Sequence, residues 1–210
     1  MSAKTVLYLH GFASSPQGRK VGLLRERLEP GGFRLAAPDL NRPSFERLDF
    51  DAMVETAVAE AKAAPPAVVV GSSLGALVAL EAARQGVAAP LVLIAPALGF
   101  AARWTEELPE KEMIPFFHHG AGEEKPIHRA FFERMARVDS DREPPVSRVS
   151  VIMGRKDESV PYELVEDVWC RWVASKKLPG GSRFVEIPDG DHGLVEHVDA
   201  IAEEIKASSA

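Results

Sequence analysis

Ala67-Val68-Val69-Val70-Gly71-Ser72-Ser73-Leu74-Gly75-Ala76-Leu77-Val78-Ala79-Leu80 passes from a β-branched run, through a cluster of small residues, into a segment that is apolar nearly all round. The three parts read as a buried strand, a tight turn and a helix buried on several sides. Ser73 is the central residue of the pattern G-x-S-x-G, with glycines that let strand and helix approach closely. In that setting a serine hydroxyl stands exposed on a strained turn, and the next amide, that of Leu74, opens a helix. Ser72 lies one place too early for this. The competing reading is an ordinary strand-to-helix turn rich in small residues, and the rest of the chain weighs against it.

Outward from this stretch, Val6 to Leu9, Phe33 to Ala36, Leu91 to Ile94, Val149 to Met153 and Phe184 to Ile187 are further short apolar runs. They alternate with segments of helical period. That alternation predicts an α/β fold, a three-layer sandwich with a mostly parallel sheet of about six strands and helices on both faces. Val21, Leu24 and Leu28 mark one helical face, and Val54, Ala57, Val58 and Ala61 a second. Val165, Val168, Trp169 and Trp172 mark a third, and Leu194, Val198, Ile201 and Ile205 a fourth. Ser15-Pro16 predicts the N-cap and first-turn proline of the first helix. Residues 97–145, 49 residues between the fourth and fifth strands, exceed what a simple crossover needs. They are expected to form a small helical cap inserted in a single domain spanning 1–210. The insertion holds six of the fifteen aromatic residues, which suggests an apolar lid.

A serine nucleophile needs a base, and the base an orienting acid. In this strand-turn-helix setting the acid and then the histidine follow the serine along the chain. Gly154-Arg155-Lys156-Asp157-Glu158 follows the fifth strand and Asp189-Gly190-Asp191-His192-Gly193 the sixth. Both groups therefore emerge at the carboxyl edge of the sheet, as Ser73 does. His192 is assigned as general base and Asp157 as its partner, with Glu158, Asp189 and Asp191 as rival acids. His10-Gly11-Phe12 follows the first strand, where the second amide donor of an oxyanion hole belongs, so Phe12 N–H and Leu74 N–H are the expected pair. His10 reads as a structural ring that braces this loop. His197 reads as a surface or packing residue. His118, His119 and His128, with Glu123 and Glu124 nearby, match no zinc spacing.

Composition narrows the function classes. There are 25 Lys and Arg against 31 Asp and Glu, a net charge of −6, and no basic block to follow a phosphate backbone. Nucleic acid is not an expected partner. Ala63 to Leu80 and Gly86 to Ala102 are long uncharged stretches, but prolines break both, so no membrane span is expected. Cys170 is the single cysteine; it excludes an intramolecular disulfide and reads as a packed or partly exposed thiol. Met1-Ser2-Ala3-Lys4 leads directly into the first strand with no room for a signal sequence, and the expected location is the cytoplasm.

The chain resembles the α/β-hydrolase superfamily, and more narrowly the small bacterial YqiA/YcfP-type esterases. The likeness rests on Tyr8-Leu9-His10-Gly11-Phe12-Ala13-Ser14-Ser15-Pro16, Pro38-Asp39-Leu40-Asn41, Gly71-Ser72-Ser73-Leu74-Gly75, Asp157-Glu158-Ser159-Val160-Pro161 and Asp191-His192. It implies a Ser73, Asp157, His192 triad, a compact sheet lacking the first two strands of larger relatives, and hydrolysis of carboxylic esters or thioesters without metal or organic cofactor. Ala76 departs from the pattern, standing where such proteins often carry a further glycine. Substrates are expected to be small acyl esters or thioesters. Acyl transfer on the same triad, and a non-catalytic binding protein on the same scaffold, are the alternative functions.

Overall fold

The computed structural model describes residues 3–106, 108–118 and 122–209. Its strands are β1 (Lys4–Leu9), β2 (Phe33–Ala36), β3 (Val68–Ser72), β4 (Leu91–Ile94), β5 (Met113–His118), β6 (Glu123–His128), β7 (Val149–Gly154) and β8 (Arg183–Ile187). The six runs singled out in the sequence are the six strands of one sheet, in the order β2-β1-β3-β4-β7-β8, with every pairing parallel. Every residue of β3, β4 and β7 is buried, as strands covered on both faces must be, whereas the edge strands β2 and β8 are only partly covered. The order reverses direction between β1 and β3. A crevice opens at the carboxyl ends of the strands at such a switch point.

The helices are α1 (Arg19–Leu28), α2 (Phe50–Ala63), α3 (Leu74–Arg84), α4 (Arg129–Met135), α5 (Tyr162–Ala174) and α6 (Val198–Ser208). α1 packs against α6 and α2 against α3, and the two pairs cover the two faces of the sheet. The predicted stripes are the buried faces of α1, α2, α5 and α6, with two adjustments. Trp169 is only partly buried and leans on Trp172 and Phe184. Leu194 precedes α6 with φ 47°, yet its side chain is fully buried. α1 also starts later than Ser15-Pro16 predicts: Ser15 accepts from Gly18 N at 3.0 Å and from Gln17 N at 3.3 Å, closing a turn, and the helix begins at Arg19.

The small helical cap expected between β4 and β7 is in part helical and in part a β-hairpin. Among the described residues, a 3₁₀ turn at Ala101–Thr105 and the short α4 are its helical parts, while β5 and β6 form an antiparallel hairpin in which Pro115 faces Pro126. Prolines on both strands deny a helix interior its hydrogen bonds and are tolerated in a two-stranded ribbon, which is all edge. His119 lies outside the described residues. Among the described residues, no helix is long and apolar enough to cross a membrane.

Candidate active site

Gly71 and Gly75 explain why strand and helix meet so closely at Ser73. A Cβ on Gly71 would lie 2.5 Å from Gly75 O and 2.6 Å from Ala76 Cα, and one on Gly75 would strike Leu9 O. The turn between β3 and α3 leaves Ser73 at φ 54° and ψ −117°. A non-glycine residue holds such a conformation only where the surroundings impose it. Here Ser73 N donates to Ile94 O at 2.9 Å, and Ser73 O accepts from Ala76 N at 3.0 Å and Ala97 N at 3.3 Å. Ser73 Oγ, by contrast, has no hydrogen-bond partner among the described residues.

His192 and Asp157 come from the loops after β8 and β7. His192 Nδ1 lies 2.7 Å from Asp157 Oδ2, and the Asp157 side chain is fully buried. The other carboxylate oxygen, Oδ1, accepts from Ser159 N at 2.9 Å and Val160 N at 2.8 Å. The two amides orient this buried carboxylate so that its second oxygen faces the imidazole. The two loops are locked together by Lys156 N donating to Gly190 O at 2.9 Å, and a Cβ on Gly154 would overlap that carbonyl.

The rival acids are occupied or turned away. Glu158 is exposed; Asp189 Oδ1 lies 3.5 Å from His197 Nε2; and Asp191 Oδ1 accepts from Leu194 N at 2.7 Å, fixing the loop. His192 retains 31% side-chain exposure and shares with Ser73 the wall of a cavity of about 390 Å³. Phe12, Phe100, Trp104 and Phe116 are part of its apolar lining. Ser73 and His192 are thus neighbours across a cavity without a direct hydrogen bond. Bonds of this kind commonly tighten only when substrate is in place.

The loop after β1 is braced by the Pro38-Asp39-Leu40-Asn41 segment, a role that sequence reasoning did not assign. His10 Nε2 accepts from Leu40 N at 3.0 Å and Nδ1 donates to Gly11 O at 2.9 Å, which fixes the neutral tautomer. Burial lowers the pKa of this imidazole. Asn41 Nδ2 donates to Ser14 O at 3.0 Å. The Phe12 and Leu74 amides, meanwhile, donate to no acceptor of the chain among the described residues.

The remaining singled-out residues fall outside this cluster. His128 accepts from Ala130 N at 3.1 Å as the cap of α4 and pairs with Glu112; His118 is buried against Phe45. Cys170 is exposed on α5. No cluster of His, Cys, Asp and Glu among the described residues could hold a metal ion.

Lys20, which the sequence reading missed, completes the surroundings with Ser72 and Tyr8. Lys20 Nζ donates to Ser72 Oγ at 3.1 Å, and Tyr8 lines the same cavity wall beside it. Burial pushes the Tyr8 phenol up to about 12 and the Lys20 ammonium down to about 8, the latter partly offset by Asp191 and Asp157. One signal could have drawn attention to Lys20: Arg19 and Lys20 place two cations in the first turn of α1, where the helix dipole opposes them.

Similarly folded proteins support the architecture. The chain superposes on mouse alpha/beta hydrolase domain-containing protein 10 with a TM-score of 0.75 at 18% identity, over 99% of this chain and 90% of that one. Est1E from Butyrivibrio proteoclasticus with ferulic acid bound gives 0.73 at 18% identity, over 98% and 90%. The monoacylglycerol lipase of Paleococcus ferrophilus gives 0.72 at 17% identity, over 99% and 97%. No curated protein sequence matches the chain. Identities this low establish the α/β-hydrolase fold alone. At the level of sequence, the model of the uncharacterised protein family UPF0227 matches residues 5–198, and the chain belongs to that family.

Proposed function

We propose that the protein is a serine hydrolase that cleaves carboxylic esters through an acyl-enzyme on Ser73. The observation that carries this reading is the strained Ser73 on the wall of a cavity it shares with His192, whose Nδ1 is bonded to the buried Asp157. Ser73 Oγ attacks the acyl carbonyl and His192 Nε2 takes its proton, while Asp157 holds the imidazole and stabilises the imidazolium. The Phe12 and Leu74 amides, free of acceptors among the described residues, receive the oxyanion. Collapse of the tetrahedral intermediate breaks the ester C–O bond, and the alkoxide leaves with the proton from His192. Water, deprotonated by the same nitrogen, then attacks the acyl-enzyme; the acid departs and Ser73 regains its proton.

The partial exposure of His192 supports water as the acceptor, hence hydrolysis over acyl transfer. The aromatic walls favour an apolar acyl or alcohol group, and a cavity of about 390 Å³ fits a small one. A p-nitrophenyl ester series of increasing acyl length, run on the wild type beside Ser73→Ala, tests the reading. Turnover with an optimum at short to medium chains, gone in the variant, is expected. Turnover that survives in Ser73→Ala overturns the role of Ser73, and none with any ester overturns the esterase.

A further inference from the structure

A second cavity, of about 360 Å³, also opens at Ser73 and His192, and its walls differ in kind from those of the first. Arg19, Lys20, Ser14, Ser72 and Tyr8 line it in place of Trp104 and Phe116. We propose that this cavity is an anion subsite, holding a carboxylate or phosphate group carried by the substrate next to the scissile ester, with the Lys20 ammonium as its counter-ion. The proposal deepens the hydrolase reading and rests on it for the word substrate.

Lys20 is half-buried and lacks an ionic partner. Its hydrogen bond goes to the neutral Ser72 hydroxyl, and no carboxylate among the described residues lies within ion-pair distance. Asp157 and Asp191 act on it only from further off: one is engaged by His192, Ser159 N and Val160 N, the other by Leu194 N. Tyr8, with its phenol at about 12, adds no negative charge at neutral pH. Even partial burial without an opposite charge alongside is unfavourable to the ammonium, whose pKa falls to about 8. An anion beside it removes that penalty.

The start of α1 points to the same ligand independently. Gly18, Arg19, Lys20 and Val21 all line the cavity, and Gly18 provides no side-chain cap. The first amides of a helix have no intrahelical acceptor, and together with the dipole they favour an anion. Two cations in that first turn are misplaced for an empty helix end and well placed for an occupied one. Because both cavities meet at Ser73 and His192, a molecule with its apolar part among the aromatics and its anion beside Lys20 carries its ester across the reacting groups.

Calorimetric titration of Ser73→Ala protein with butyl phosphate and with monobutyl succinate tests the site without turnover. Saturable binding of at least one is expected, weakened tenfold or more by adding Lys20→Met and largely kept with Lys20→Arg. Kinetics then locate the anion: wild-type enzyme is given p-nitrophenyl butyrate, its counterpart with a carboxylate on the acyl chain, and 4-carboxyphenyl butyrate with the charge on the leaving group. One charged ester should exceed its neutral counterpart in kcat/KM, with a ratio that falls about tenfold in Lys20→Met. A lysine that merely supports Ser72 would slow all three alike and leave the ratio unchanged, which overturns the proposal, as does absence of binding by Ser73→Ala. Lys20-dependent binding without turnover of any ester would leave the anion site standing and remove the hydrolase reading. Ser73-dependent turnover of the neutral ester with neither anion bound would do the reverse.

Discussion

The ring of Phe12 stacks on that of Phe131, with centroids 5.7 Å apart and planes 6° from parallel. Phe12 also meets Trp104, Phe116 and Phe132 edge-on, at 5.6, 5.3 and 5.9 Å. One residue therefore joins the loop after β1, whose backbone amide is the proposed oxyanion donor, to the insertion that roofs the cavity. Phe12→Ala removes the ring and keeps the amide. Its kcat should fall about tenfold to a hundredfold through misplacement of the loop, with stability lowered by about 1–3 kcal/mol. Steady-state kinetics beside a denaturant melt check both, and an unchanged kcat would separate the insertion from the chemistry.

Asp157→Asn keeps an oxygen for the Ser159 and Val160 amides but turns an N–H donor toward His192 Nδ1. The imidazole is then driven to the tautomer that cannot accept the Ser73 proton. A fall of about 10⁴ in kcat, with KM nearly unchanged, is the expected result. A loss of less than tenfold would move the orienting role to another carboxylate.

Two glycine substitutions should have opposite effects. Gly75→Ala drives a Cβ into the Leu9 carbonyl, so the variant should fail to accumulate as folded protein or melt many degrees lower. Gly22, inside α1, has nothing within 4 Å of the place an alanine methyl would take, and Gly22→Ala should stabilise by about 0.5–1 kcal/mol. Thermal melts of the pair compare a glycine needed for close approach with one that is not.

His10 should make the fold sensitive to mild acid. Its folded pKa is lowered, chiefly by burial, so below the unfolded value of about 6.5 the unfolded chain binds a proton that the folded chain resists. Its contribution is fully present above about pH 6.5 and is lost as pH falls toward the folded value. Protonating Nε2 also breaks the bond from Leu40 N. His10→Gln should therefore melt lower at pH 7.5 and show a shallower decline between pH 6.5 and 5 than the wild type; parallel curves would assign the acid sensitivity elsewhere.

The sheet was legible because each strand is short, apolar and doubly covered, and such runs stand out between segments of helical period. Ser73 was legible for a related reason: only small residues fit where β3 meets α3, so Gly71 and Gly75 had to flank it. Asp157 and His192 followed from their places after β7 and β8. What stayed hidden depends on contacts between distant segments. In the hairpin of β5 and β6, β5 reads Met113-Ile114-Pro115-Phe116-Phe117-His118, with apolar residues in succession and no apolar–polar alternation to mark a strand. Its prolines mask a ribbon as a loop. The bond from Leu40 N to His10 spans 30 residues and that from Lys20 to Ser72 spans 52, so no local pattern encodes either.

The central claim, that Ser73 is a nucleophile activated by His192, is tested most directly by mass spectrometry after treatment with a serine-directed fluorophosphonate. The account predicts a single adduct on the peptide containing Ser73, absent from Ser73→Ala and formed far more slowly in His192→Ala. Folded wild-type protein that takes no adduct, or an adduct that persists in Ser73→Ala, would contradict it.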